Sequence, residues 1–211
     1  MYELSLFSGA GGGLLASHYL IGWRTILYCE LDPYAREVLH ARIREGHLDD
    51  APIFDDVRSL NTRVLAPYRD LARRAPVVVT AGFPCQPFSV AGKRQAADDE
   101  RNLWPETSRV LREVRPRYAL LENVPGLLAE SHGYFGTILQ DLAESGFDAE
   151  WGVLGAGDVG GPHRRKRLWI RATLADADRP RLSKQRRGRS DWPTYSAPKR
   201  SSGGRALPSL G

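Results

Sequence analysis

Residues 4–20 leave this chain few ways to fold. Leu4-Ser5-Leu6-Phe7 is a short apolar run of strand type, and it passes without a linker into Ser8-Gly9-Ala10-Gly11-Gly12-Gly13 and then into the helical pattern Leu14 to Leu20. Strand, glycine loop and helix in immediate succession form the first half of a β-α-β unit. Its second half follows. Thr25-Ile26-Leu27-Tyr28-Cys29 reads as a strand that ends at Glu30 and Asp32, and Pro33 opens a helix with Ala35, Val38, Leu39 and Ile43 on one face. Further strands are expected at Val77 to Thr80, Tyr118 to Leu121 and Leu168 to Ala172, with helical patterns around Leu103 to Val114 and Phe135 to Ser145. Such alternation predicts an α/β fold with a mostly parallel sheet and helices on both faces.

The chain is long enough, at 211 residues with 42% hydrophobic content, to bury one sizeable core. Its formal charge of +5 is uneven. From Ala175 to Gly211 there are nine Lys/Arg against three Asp/Glu, a net of +6, which leaves the preceding residues near −1. Apolar periodicity also stops near Leu174. The expected division is therefore a main domain over 1–174 and a basic, poorly ordered tail over 175–211, suited to phosphate contact or else a solvated extension. No apolar run reaches the length of a membrane span and no secretory leader is evident, so a cytoplasmic protein without a membrane partner is expected. With only Cys29 and Cys85, neither a disulfide framework nor a multi-cysteine metal site is expected.

In open sheets of this type ligands gather at the carboxyl ends of the strands, so the residues there are the candidates for function. Glycines 9, 11 and 12 let backbone approach a ligand closely and start a helix with outward-pointing amides. Glu30, about 20 residues on, is placed to accept hydrogen bonds from ribose hydroxyls. Together they suggest a nucleoside ligand, and the pattern alone does not separate nicotinamide, flavin or S-adenosylmethionine cofactors. Asp56, after Ile53-Phe54, is a candidate acceptor from an adenine amino group or the cap of a helical turn beginning at Val57. Cys85 lies in a Gly/Pro-bracketed loop after a strand, a setting that favours thiolate, whereas Cys29 lies inside a strand pattern and reads as core. Glu122, at the end of the next strand, is a candidate acid–base carboxyl. Arg165 and Arg167 alternate toward Leu168-Trp169-Ile170, which would aim both into one cleft.

Five segments carry a resemblance: Leu6-Phe7-Ser8-Gly9-Ala10-Gly11-Gly12, Glu30-Leu31-Asp32, Gly82-Phe83-Pro84-Cys85-Gln86-Pro87-Phe88-Ser89, Glu122-Asn123-Val124 and Arg165-Lys166-Arg167. In this order they resemble the signature motifs of the DNA cytosine-C5 methyltransferases, from about Tyr2 to about Ile170. The resemblance implies a Rossmann-like S-adenosylmethionine-dependent methyltransferase fold acting on double-stranded DNA with a flipped base. It implies cofactor contacts at Phe7, Ser8, Gly9, Ala10, Gly11, Gly12, Glu30, Leu31, Asp56, Val57, Pro84 and Leu103. Cys85, Glu122, Arg165 and Arg167 would be catalytic, with Gln86, Ser89 and Asn123 against the substrate and no metal. The family's target-recognition domain and its late Gly-Asn motif have no counterpart after Leu174. A fragment, or one half of a split enzyme whose separate chain supplies target recognition and the missing C-terminal helix, is the expectation. An inactive DNA- or partner-binding remnant, a tRNA cytosine methyltransferase and a nicotinamide-dependent oxidoreductase are the alternatives.

Overall fold

The computed structural model describes residues 1–84, 102–128 and 133–175. Among these, seven strands form one sheet: β1 (Tyr2–Leu6), β2 (Arg24–Cys29), β3 (Ile53–Phe54), β4 (Val77–Ala81), β5 (Tyr118–Asn123), β6 (Phe147–Gly155) and β7 (Lys166–Leu174). The spatial order is β3-β2-β1-β4-β5-β7-β6, parallel except for β7, which runs antiparallel to both neighbours. The helices are α1 (Gly12–Ala16), continued by a π turn over Ser17–Ile21, α2 (Pro33–Arg44), α3 (Thr62–Ala72), α4 (Trp104–Val114) and α5 (Tyr134–Glu144). The expected mostly parallel α/β sheet is the one found.

Burial follows position in the sheet. All three valines of central β4 are buried, as expected of a parallel strand covered on both faces. On one face Leu4, Leu6, Leu27, Val79, Leu121, Leu168 and Ile170 join residues of α3, α4 and α5 in the main core. On the other a smaller cluster, Leu14, Tyr28, Leu39 and Leu48, packs α1 and α2 over β2. Farther along this second face Thr80, Tyr118, Leu120 and Trp169 are only half-buried and Arg171 is exposed, while the alternating Ala119, Leu121, Leu168, Ile170 and Ala172 are buried.

A buried carboxylate fastens α1 to the sheet. Glu3 of β1 accepts from Ser17 Oγ at 2.6 Å, Thr25 Oγ1 at 3.2 Å and Thr80 Oγ1 at 2.7 Å. Three hydroxyl donors from three elements offset the desolvation that an unpartnered buried acid would suffer.

Two elements differ from the sequence expectation. A helix, α3, occupies Thr62–Ala72, a stretch for which no element is expected. Asn61 caps it by accepting from the amides of Arg63 and Val64, and the interior Pro67 is what interrupts its pattern. β6 is also additional. It is an edge strand, mostly solvent-facing over Asp148–Leu154, so its sequence lacks the apolar alternation of a half-buried strand. Leu121 is fully buried at the centre of the main core. Leu121→Ala is expected to cost about 3 kcal/mol, read as a lowered midpoint in urea unfolding with little change in slope.

Candidate functional site

The site is a rim set by strand register. Leu6 pairs with Cys29 on one side and Ala81 on the other, Cys29 pairs with Phe54, and Ala81 pairs with Leu121. The parallel strands therefore end near one level, and Phe7–Gly12, Glu30, Asp56, Gly82–Pro84 and Asn123 leave the sheet side by side. β7, being reversed, brings its start to the same rim, with Leu168 opposite Asn123.

The loop after β1 is tightly organised. Ser8 donates its amide to the Cys29 carbonyl at 3.0 Å and its hydroxyl to the Ser5 carbonyl at 3.0 Å. Phe7 adopts a φ of 55°, a left-handed conformation that is uncommon and costly for a bulky residue. Gly11 has a φ of 86°, and a Cβ there would lie 3.2 Å from both Leu39 Cδ2 and Leu48 Cδ1. It needs glycine for conformation and for space alike. A Cβ at Gly9 or Gly12 would meet nothing within 4 Å, so those two leave open room above the loop.

Glu30 is oriented from both sides. Its Oε2 accepts from the Gly9 amide at 2.7 Å and its Oε1 from the Asp32 amide at 2.9 Å, while Arg36 Nη1 holds the Glu30 and Leu31 carbonyls at 3.0 and 2.6 Å. Each carboxylate oxygen keeps lone-pair capacity for a ligand hydroxyl. An open glycine loop bonded to an anchored acid fits the ribose end of a nucleoside cofactor such as S-adenosylmethionine. Leu31 and Ala10 are both exposed. Asp56 caps the short 3₁₀ turn Val57–Ser59 through the Arg58 amide at 2.9 Å, and its other oxygen faces Arg58 Nη1 at 3.4 Å. The capping role read from the sequence is therefore present. Val57 is buried beneath it.

On the other half of the rim, Glu122 Oε1 pairs with Arg167 Nε at 2.5 Å, both side chains partly exposed. A Cβ at Gly82 would lie 3.3 Å from Glu122 Oε2. Gly82 thus gives the carboxylate its room, a role signalled by a glycine directly after β4. Asn123 is buried; its Nδ2 donates to the Phe83 carbonyl at 3.0 Å and its Oδ1 accepts from the Val124 amide at 2.8 Å. Its amide thereby fixes the Phe83–Pro84 backbone. Phe83 packs against Trp104 with ring centroids 5.2 Å apart, and Leu103 donates its amide to the Pro84 carbonyl at 3.3 Å. Cys85, Gln86 and Ser89 lie outside the described residues.

The two arginines do not behave alike. Arg167 is within the β6–β7 ladder and reaches Glu122; Arg165 precedes the strand, is exposed, and offers only its carbonyl to Ala156. The Ala156 amide bond to the Arg165 carbonyl, at 3.0 Å, continues the register in which Leu154 faces Arg167. Cys29 is core, as expected. Burial first, then the charges of Asp56, Glu30 and Asp55, push its thiol up from 9.0 to about 12. Among the described residues no group of three or more His, Cys, Asp or Glu is arranged to hold a metal ion, and no helix is long and apolar enough to cross a membrane.

A mostly parallel sheet with one reversed strand and helices on both faces is a Rossmann-like fold. The chain belongs to the C-5 cytosine-specific DNA methylase family, whose model matches residues 1–201. It is 34% identical over 173 residues to the type II methyltransferase M.NgoBI of Neisseria gonorrhoeae, covering 81% of this chain and 50% of that protein. To M.AquIA of a Picosynechococcus strain it is 33% identical over 181 residues, covering 79% of this chain and 69% of that one. Against M1.ScrFI of Lactococcus lactis subsp. cremoris, at 32% identity, the chain spans only 40% of the relative's length. A solved prophage-encoded DNA modification methyltransferase of Escherichia coli, described as putative, matches with a TM-score of 0.65 and 26% identity over 82% of this chain and 47% of its own. The Schizosaccharomyces pombe Dnmt2 methyltransferase matches in fold at 0.62 and 23% identity, covering 86% of this chain and 53% of its own.

Two outcomes follow from the geometry. Gly11→Ala is expected to lose about 1–2 kcal/mol from the φ alone, whereas Gly12→Ala leaves urea unfolding unchanged. In a Cys85→Ser background, Cys29 is expected to react with iodoacetamide at pH 8 on the order of 100-fold or more slowly than after denaturation. Because its proton is retained in the fold and released in the unfolded chain from pH 9.0 upward, the thiol's contribution to stability is complete below that pH and declines toward about 12.

Proposed function

We propose that this chain is the catalytic part of an enzyme that methylates C5 of cytosine in double-stranded DNA. The observation that carries the reading is the Glu122–Arg167 pair standing over Gly82, next to the Gly82–Pro84 segment that leads into Cys85. C5 of cytosine is a weak nucleophile and needs covalent activation. The Cys85 thiolate adds to C6 of a flipped cytosine, forming a C–S bond and moving electron density to C5. Glu122 holds the N3 and N4 edge of the base with the oxygen that Arg167 leaves over Gly82, easing charge build-up during addition. S-adenosylmethionine, when bound, supplies the methyl group taken up by C5. Loss of the C5 proton to solvent and rupture of the C–S bond then return the thiolate and release 5-methylcytosine.

For the cofactor, Glu30, anchored by the Gly9 amide, would hold the ribose, and Asp56 with Val57 the adenine. Phe7, Ser8, Gly11, Gly12, Pro84 and Leu103 would line the space between. Arg165, on the exposed side, would reach the base or a phosphate only with DNA in place. Gln86, Ser89 and Asn123 would border the substrate, Asn123 acting through the Phe83 carbonyl. The half-exposed strip Thr80, Leu120 and Trp169 supports a further requirement: another polypeptide segment or chain covers this face and brings target recognition.

The test is labelled methyl transfer to duplex DNA and to tRNA, together with trapping on duplex DNA containing 5-fluorocytosine, each with and without a C-terminal half of a relative added in trans. Methylation of DNA and a stable adduct are expected. Cys85→Ser should abolish the adduct, and Glu122→Gln should lower transfer by about 10²–10⁴-fold. Incorporation into tRNA alone would shift the substrate to RNA, and no adduct under any condition would leave a binding module.

A further inference from the structure

Three segments to which the proposed function gives cofactor contacts come from different parts of the chain: Asp56–Val57 at the adenine, and Pro84 and Leu103 along the space between adenine and ribose. All three are fastened to one helix. At the start of α4, Leu103 donates its amide to the Pro84 carbonyl. One and a half turns on, Arg109 reaches across to the turn that Asp56 caps. Its Nη2 donates to the Val57 carbonyl at 2.9 Å and its Nη1 to the Leu60 carbonyl at 2.6 Å.

The Val57 carbonyl also accepts from the Leu60 amide at 3.2 Å, the bond that closes the 3₁₀ turn, so Arg109 supplies a second donor there and ties the Leu60 carbonyl just beyond it. The guanidinium is itself held from its own helix. Nε donates to Glu106 Oε2 at 2.7 Å and Nη1 to Glu113 Oε1 at 3.1 Å, at spacings of three and four residues. Burial opposes the charge, and the hydrogen bonds and charges of Glu106 and Glu113 outweigh it, so the group stays protonated. With Val57 and Leu60 buried in the main core, the turn has apolar anchors below and a fixed cation above. A planar fork can bridge two carbonyls and two carboxylates at once, and a lysine cannot.

We infer that Arg109 is a positioning residue for cofactor recognition: by clamping the Val57 and Leu60 carbonyls it fixes the capping turn so that the Asp56 carboxylate reads the adenine amino group. The inference rests on the proposed cofactor reading. No substrate or cofactor atom need touch Arg109; it acts through Asp56.

Calorimetric binding of S-adenosylhomocysteine and of its analogue lacking the 6-amino group, to the full 211-residue chain, separates this role from a merely structural one. The wild-type chain should prefer the adenine form. Asp56→Asn should erase the preference. Arg109→Gln should reduce it at least about fivefold, with Arg109→Lys retaining an intermediate preference. Glu106→Gln, which removes one brace and leaves the clamp in place, should shift the ratio in the same direction by less, and it supplies the measurement if Arg109→Gln does not fold. Equal weakening of both ligands, or an unchanged ratio in the Arg109 and Glu106 variants, would overturn the positioning role. A wild-type chain that binds neither ligand, or an Asp56→Asn variant that keeps the preference, would instead overturn the cofactor reading on which it depends.

Discussion

The rim exists because β1 holds its register with both neighbours. Leu6 is level with Cys29 and with Ala81, and Ala81 is level with Leu121. A slip of one residue would turn Leu4 and Leu6 off the main core and put Glu3 and Ser5 in their place, which burial on that face forbids. With the register fixed, five loops leave the sheet at one height. The reversal of β7 matters equally, since a parallel strand would have brought its end to the rim and carried Arg167 to the opposite edge.

Much of the rim is organised by protein donors before any ligand arrives. Glu30 is held by the Gly9 and Asp32 amides, Glu122 by Arg167, and the Phe83 carbonyl by Asn123. Donors and acceptors fixed in advance need not reorganise when charge shifts on a bound ligand, which is the electrostatic advantage of a preformed site. The strain at Phe7 belongs to the same arrangement: its left-handed backbone turns the chain from β1 into the glycine loop at the point where Ser8 bonds to Cys29.

Most of the sheet was legible in the residues because buried parallel strands advertise themselves as apolar runs. The valines of β4 and the β2 run ending at Cys29 are of that kind. β6 was not legible, because as an edge strand it keeps only Phe147 and Gly155 buried. α3 was hidden by Pro67. At the site, Glu30 and Glu122 could be picked out as acids directly after strands, whereas Arg109 could not. It sits mid-helix among other arginines, and only the crossing of α4 over the Val57–Ser59 turn gives it a distinct role.

By itself the sequence determined the alternation of strands and helices, the family, and the identity of the polar residues at the strand ends, since each depends on neighbours a few positions apart. Tertiary structure decided what those residues do to one another. It put Arg167 rather than Arg165 on Glu122, directed Asn123 onto the loop before Cys85, and joined Leu103, Pro84 and Val57 through α4. Such contacts span tens of residues and turn on the direction of a single strand and the crossing of a single helix, and no local pattern encodes either.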